Sequence, residues 1–410
     1  MTTRLYYNEP ELGEFQSIVD EVIAPAPGEA RPGVILRDTA FYPTSGGQVY
    51  DTGWLRTGSN VRLRVVEVAE TEDGKVVHYL EPTIHSPAPG AAVYGSIDRE
   101  RRRDHMQQHS GQHALSAALV ELYQMPTVSF HMGDDYCSID LASPSITPEQ
   151  VVAAEKRANE IVFENRPVHI RYVSRTEAEK LGLRKLPPAD RDELRLIEIA
   201  DFDLSACGGT HVAATGKIGS ILLRKTEKVR QGVRIEFVCG DRAVRLARRD
   251  YLSLSEAAGL FSTQLWDVPT QIRKSFDDQK QLRRQRDEAL EQLAESMAAD
   301  AVKSQPEIGG RRIVVRTFPD RDIAFAKLFA QKVTRAGVPA IALSASTIDP
   351  SGIVFAQSAG GSVDMGALLK QVLSAAGGRG GGSHDFAQGG VPAGSSVEKL
   401  LRQAATTIGS

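Results

Sequence analysis

Two short motifs in this chain gather the side chains that divalent transition metals prefer. In His109-Ser110-Gly111-Gln112-His113 two imidazoles stand four residues apart. On a helix that spacing sets both on one face, within reach of a single ion. Cys207-Gly208-Gly209-Thr210-His211 adds a thiolate and a third imidazole, and its two glycines let the backbone fold around an ion. Together they form a His3Cys set, which suits one zinc ion because it combines imidazole nitrogen with a soft sulfur. Either motif alone reads equally well as polar-face histidines or a small core cysteine; their pairing carries the inference. Position 110 is Ser rather than the Glu of a His-Glu-x-x-His helix, which disfavours a zinc peptidase using that general base.

These side chains need elements to hold them. The first hundred residues carry short alternating runs at 33–36, 61–68 and 75–80, with Asp73-Gly74 as a hairpin signal, and read as a small β-barrel or sandwich. Between them lies Phe41-Tyr42-Pro43-Thr44-Ser45-Gly46-Gly47-Gln48, whose Gly pair would let backbone approach a ligand closely or simply make a loop; residue types favour the plain loop. From Asp98 the pattern turns helical. A second helix is expected over 147–165, opening at Thr147-Pro148 and stopping before Pro167. Strands are expected at 168–173, 194–199, 218–224 and 233–238, giving an α+β segment. Residues 270–304 place Ile272, Phe276, Leu290, Leu293 and Met297 at heptad-like spacing, with Arg283 and Arg286 interrupting, and suggest a connecting helix or imperfect hairpin. The last hundred residues alternate strands (312–316, 340–344, 353–357) with helices (323–336, 365–375, 396–407), an α/β pattern. Seven glycines in positions 377–390 could present backbone N–H groups to an anion or simply form a curved loop; without a Lys-Ser/Thr ending this is no P-loop. The resulting fold class is α+β multidomain: a barrel at 1–97, an α+β domain at 98–252, a helical connector at 253–306 and an α/β domain at 307–410.

Composition bounds the rest. At 410 residues, 41% of them apolar, the chain exceeds what one core usually organises, and bulk disorder is excluded. Three cysteines cannot make a disulfide framework, and the start lacks a basic region followed by an apolar run, so a cytoplasmic location is expected. Net charge is −3, but it is unevenly spread: −7 over residues 1–100, +2 over 101–250 and +2 over 251–410. From Lys217 to Arg249 ten basic residues face three acidic ones, and from Arg311 onward eleven face six.

With these motifs in place the chain resembles the editing domain of alanyl-tRNA synthetase and its free-standing relatives, the AlaX trans-editing proteins. The resemblance rests on His109-x-x-x-His113 with Cys207-Gly208-Gly209-Thr210-His211. It extends through Phe41–Gln48, Asp51-Thr52-Gly53, Ser129–Gly133, Ala158-Asn159-Glu160, Asn165–Val168 and Gly232–Phe237. The glycine-rich tract near 380 resembles the C-terminal DHHA1 domain of the same synthetases, and the order of parts is similar to the long AlaX class. Since the chain begins only about a hundred residues before the editing domain, it is not expected to be a synthetase.

The resemblance implies hydrolysis of mischarged tRNA(Ala), chiefly Ser-tRNA(Ala) and also Gly-tRNA(Ala), with His109, His113, Cys207 and His211 holding zinc. In that family the Gly46-Gly47-Gln48 segment is associated with serine discrimination. Thr44, Gln48, His131 and Thr210 are the candidate polar helpers. The basic stretch nominates Lys225, Lys228, Arg230, Arg234, Arg245, Arg248 and Arg249 for tRNA contact. The C-terminal domain is expected to bind tRNA, mediate a homodimer, or both. A reading from another class is a zinc-stabilised RNA-binding module without catalysis. A metal-dependent phosphoesterase is a third, disfavoured because Asp104-His105-Met106 is not an Asp-His-His motif.

Overall fold

The computed structural model describes residues 2–25, 31–83, 85, 87–181, 183, 193–230 and 232–409. The chain divides into two compact units, Met1–Glu256 and Ala257–Ser410. We keep the finer division at residues 97, 252 and 306 as a proposal. No helix among the described residues is long and apolar enough to cross a membrane.

The first unit begins with a closed six-stranded barrel. Its strands are β1 (Glu14–Ile23), β2 (Gly33–Leu36), β3 (Gly53–Thr57), β4 (Arg62–Glu70), β5 (Val76–Leu80) and β6 (Ala92–Ile97), paired in the order β1-β2-β5-β4-β3-β6 and closing from β6 to β1. Asp73-Gly74 turns β4 into β5, with Gly74 at φ +78°. Alternate residues such as Phe15, Val19, Leu55, Leu63, Val65 and Val93 fill the interior. Phe41 packs there too, edge-on to the imidazole of His78.

Helix α1 (Arg99–Tyr123) leaves the barrel directly and is buried over most of its length. Its second turn anchors it. Arg102 forms an ion pair with Asp51, and both side chains are almost fully buried. The guanidinium also donates to the carbonyls of Pro10 and Ala40, both at 2.6 Å, while Asp51 accepts the Tyr42 N–H at 2.7 Å. Each guanidinium nitrogen has a partner, and such hydrogen bonding is what lets a buried pair be tolerated.

Around α1 lie β7 (Thr127–Met132), β8 (Cys137–Leu141), α2 (Pro148–Phe163), β9 (Val168–Ser174), β10 (Glu193–Ile199), β11 (Asp203–Ala206), β12 (Ile221–Val229) and β13 (Gly232–Cys239). They form one sheet ordered β12-β13-β8-β7 and another ordered β9-β10-β11. Thr147 and Gln150 cap α2 reciprocally. The strand expected at 218–224 starts later, because Thr215–Ile218 is a short 3-10 helix. Helix α3 (Gly240–Leu260) follows β13.

The second unit contains α4 (Val268–Ser304), a single 37-residue helix. Of its expected seam, Leu290 and Met297 pack against the core with the buried Ala294, Ala298 and Val302, whereas Ile272, Phe276 and Leu293 are exposed. The sheet comprises β14 (Arg311–Phe318), β15 (Ala340–Ser346), β16 (Gly352–Gln357), β17 (Arg379–Gly382) and β18 (Phe386–Gly390), with Glu307–Ile308 pairing β14 at one edge. Helices α5 (Ile323–Thr334), α6 (Met365–Ser374) and α7 (Val397–Gly409) cover it. Only β14 and β15, joined through α5, run parallel. The loop from β15 to β16 is too short for a crossover, so the sheet is mixed rather than the parallel one that strand-helix alternation suggests.

The glycine tract departs from the loop expectation. Gly380–Gly382 and Gly389-Gly390 lie in the paired strands β17 and β18. A Cβ on Gly380 would come within 2.6 Å of the Gly389 Cα, and one on Gly389 within 2.8 Å of the Arg379 carbonyl, with Leu373 on α6 also close, so glycine is required for that close approach.

Two stability predictions follow from buried charge and its absence. Arg102→Met leaves Asp51 buried and unpaired, and lowers the unfolding free energy of the first unit by about 3–5 kcal/mol in urea titrations. Burial holds His78 down to about 4, with only the Val34 carbonyl opposing. The unfolded chain takes up that proton near pH 6.5. Its contribution is therefore complete above pH 6.5 and is lost as pH falls toward 4, by roughly 3 kcal/mol. His78→Gln should flatten the stability–pH curve across that window; an unchanged slope would refute the assignment.

Candidate metal centre

His109 and His113 lie on the buried face of α1, about two and three turns beyond Arg102. Cys207 and His211 sit in the loop after β11. The four ligand atoms fall within 4.8 Å of one another. Cys207 Sγ is 3.4 Å from His109 Nε2 and 3.3 Å from His211 Nε2. Zn–N and Zn–S bond lengths in a tetrahedron imply ligand separations of about 3.3–3.7 Å, and both sulfur–nitrogen distances fall in that range.

The outer nitrogens support the same reading. His211 Nδ1 shares a hydrogen bond with Ser110 Oγ at 3.1 Å, while His109 Nδ1 donates to the acceptor Gln48 Oε1 at 2.8 Å and His113 Nδ1 to the Asp203 carboxylate at 3.2 Å. Such partners fix the tautomer that offers Nε2 to a metal. Asp203 also accepts from Ser205 Oγ at 2.6 Å, and Ser110 accepts the Val212 N–H at 3.1 Å. The Gly209 N–H points at Cys207 Sγ, 3.4 Å away. Burial alone would push the Cys207 thiol up, but His109 and His211 outweigh it and hold it well below its ordinary range. Burial, then the neighbouring His109, lowers His211 to about 3. For His113 burial opposes the cation, and the Asp203 hydrogen bond nevertheless raises it. Metal ligands must shed their protons, so ion affinity falls in acid.

Glycine is obligatory beside the ligands. A Cβ on Gly209 would sit 2.1 Å from His109 Cε1. Arg195 on β10 clamps this loop, donating to the carbonyls of Cys207 at 2.6 Å, Gly209 at 3.0 Å and Tyr7 at 3.0 Å.

The Phe41–Gln48 segment is not a plain loop. Ser45 and Gln48 exchange backbone hydrogen bonds around Gly46 and Gly47, whose φ values of +58° and +87° define a tight turn with two left-handed residues. A Cβ on Gly47 would lie 2.5 Å from the Phe130 carbonyl. The turn delivers Gln48, fully buried, to the centre: Oε1 accepts from His109 and from the Thr210 N–H at 3.0 Å, while Nε2 donates to Thr210 Oγ1 at 2.8 Å. Thr44 is exposed nearby.

His131 is not brought to the centre. Strand alternation turns it outward, 60% exposed and 3.9 Å from Asp140, and turns Phe130 inward to stack on His109 at 5.4 Å between ring centroids. Residue-type reasoning picked the titratable side chain and missed its neighbour; the phase of the alternation in Ser129–Met132 was the available signal. Ser110, Asp203 and Arg195 were also missed as site residues.

The nominated basic residues divide. Arg234 is held by Asp140 through two bonds of 2.7 and 2.9 Å, Lys225 pairs with Glu227 at 2.8 Å, and Arg249 lies 3.8 Å from Asp250. Lys228, Arg230, Arg245 and Arg248 are exposed and have no carboxylate partner among the described residues.

Three family models match the chain: tRNA synthetases class II (A) over residues 4–101, the threonyl and alanyl tRNA synthetase second additional domain over 194–236, and the DHHA1 domain over 324–410. An alanine–tRNA ligase of Natronomonas pharaonis is 34% identical over 98% of this chain and 43% of its own length. One of Thermococcus kodakarensis is 30% identical over 100% of this chain and 44% of its own. The chain thus spans less than half the length of these ligases. The alanyl-tRNA editing protein AlaX-L of Pyrococcus horikoshii is 30% identical over 96% of this chain and 95% of its own.

The ligand set and its outer partners predict separable losses. Cys207→Ala should abolish stoichiometric zinc in the purified protein. Asp203→Asn should retain it but weaken affinity roughly 10- to 100-fold in chelator competition. Equal retention by both variants would exclude these residues as the binding centre.

Proposed function

This chain belongs to the family of the alanyl-tRNA editing protein AlaX-L, and from that premise we propose that it hydrolyses the aminoacyl ester of mischarged tRNA(Ala), chiefly Ser-tRNA(Ala) and also Gly-tRNA(Ala). The observation that carries this reading is the Gln48 amide. It joins the Gly46-Gly47 turn, a segment that the family resemblance associates with serine discrimination, to the proposed ligand His109 and to Thr210 in one hydrogen-bonded unit.

When bound, zinc at His109, His113, Cys207 and His211 supplies positive charge that polarises an ester carbonyl or orients the ester. The chain's own residues do the selecting. Thr210 Oγ1 accepts from Gln48, so its own hydroxyl hydrogen remains to donate. Thr44 and Gly46 are exposed while Gln48 and Thr210 are fully buried, so solvent gives way to a dry polar wall within a few residues. A wall built to bond a seryl hydroxyl rejects the alanyl analogue, because its polar groups would then stay unpaired. Phe130 covers one face of the His109 ring. The unpaired Lys228, Arg230, Arg245 and Arg248 are the proposed tRNA contacts, with Lys225, Arg234 and Arg249 acting through their ion pairs. Dimerisation through the C-terminal domain and cytoplasmic location remain part of the proposal.

Deacylation of Ser-tRNA(Ala), Gly-tRNA(Ala) and Ala-tRNA(Ala) tests it. Wild type should clear the seryl ester at least about a hundredfold faster than the alanyl ester, and Cys207→Ala should clear neither. Comparable rates on both would refute the specificity. Tight binding with the ester left intact would identify a zinc-stabilised RNA-binding module instead.

A further inference from the structure

We propose that the outer face of the barrel formed by β1, β6, β3 and β4 is a separate RNA-contact surface, on which unpaired nucleotides of the tRNA stack on the guanidiniums of Arg56 and Arg62. The proposal rests on the reading of the protein as one that acts on tRNA, and it lies in the most acidic third of the sequence, where charge counting points away from a polyanion.

The register builds the surface. Outward side chains fall into two rows across four strands: Gln16, Tyr94, Arg56 and Arg62 in one, Glu14, Ser96, Trp54 and Arg64 in the other. Arg56 lies over the Tyr94 ring at 4.5 Å, and Arg62 over the Trp54 ring at 4.8 Å. Arg64 flanks Trp54 at 5.2 Å. Arg56, Arg62, Trp54 and Tyr94 border an open recess of about 600 Å³.

Charge then separates the arginines. Arg64 is neutralised by Asp98 at 2.7 Å, and Glu14 by Arg99 at 3.4 Å. Arg56 and Arg62 are exposed and have no carboxylate partner among the described residues, so the face carries two uncompensated positive charges. Each guanidinium lies over an aromatic ring and is exposed, so it can offer a planar cationic surface and N–H donors to a ligand from solvent. A planar cation on an aromatic ring is a platform for a nucleobase, and its edge suits a phosphate. Paired bases present no free face, so the fitting ligand is single-stranded.

Fluorescence anisotropy on the full chain tests this with uncharged tRNA(Ala), a short single-stranded oligoribonucleotide and a blunt RNA duplex. Arg56→Glu with Arg62→Glu should weaken tRNA binding roughly tenfold or more and reduce the salt dependence by a slope of about one to two. Arg56→Lys with Arg62→Lys should keep the salt slope yet lose affinity for the oligonucleotide, since lysine keeps the charge but not the stacking plane. Hydrolysis of a minimal ester, 3′-seryl-adenosine, should be unchanged in both. Wild-type affinity in the glutamate variant, equal binding of the duplex, or equal competition by an acidic peptide would overturn the surface. RNA binding that depends on these arginines in a protein that hydrolyses neither ester would sustain it while refuting the hydrolase.

Discussion

Three imidazoles crowded around one thiolate in a dry interior impose a strict requirement. Each ring that turns Nε2 toward the common centre turns Nδ1 away from it, and a buried N–H without a partner costs about 1–3 kcal/mol. Here the three partners come from three places: Gln48 from the turn after β2, Ser110 from α1 itself, and Asp203 from the start of β11. The centre therefore cannot form unless the barrel, the long helix and the small sheet are already together. Arg102 and Arg195 serve the same end through backbone carbonyls, the first fixing α1 to the barrel and the second fixing the Cys207–Gly209 loop to β10 and Tyr7. Gln48 has the most demanding position, because one amide must satisfy His109 and both polar groups of Thr210.

The clustering of His109, His113, Cys207 and His211 was legible in the sequence because local spacing constrains each pair: four residues along a helix bring two imidazoles to one face, and two glycines open a loop. The barrel strands at 33–36, 61–68 and 75–80 were legible for the same kind of reason, since alternation and Asp-Gly turns are local. The outer partners were not. Asp203 lies 90 residues from His113, and Asp51 lies 51 residues from Arg102, separations over which no pattern in the chain indicates contact. His131 illustrates a different failure. Its chemistry suggested a role, but the phase of the strand decides which side chain faces the centre, and it selects Phe130.

At two places residue type favoured a loop over the close approach that glycine also permits. On residue type, Gly46-Gly47 and the tract at 377–390 both look like freedom. In the structure both meet close approach: the turn backs onto the Phe130 carbonyl, and β17 and β18 lie against Leu373. Flexibility is a property of glycine in the unfolded chain; once packed, the missing Cβ marks a place where backbone must come nearer than any side chain allows.

Charge follows a similar logic. The counts over residues 1–100 and 217–249 predict opposite surfaces, yet pairing alters both. Much of the acidity at the front is spent locally, with Glu70 on Arg4, Glu67 on Arg31, Asp51 on Arg102 and Asp98 on Arg64. That leaves Arg56 and Arg62 uncompensated in a segment whose sum is negative. In the basic stretch Lys225 and Arg234 are themselves tied to carboxylates. A polyanion responds to unpaired charge within about a Debye length of the surface it touches, roughly 8–10 Å, and hardly to a sum over a hundred residues. The patches that matter are thus set by cross-strand register and helix facing, which bring distant residues together, and two weakly charged faces on a net-negative chain are compatible with a polyanionic partner.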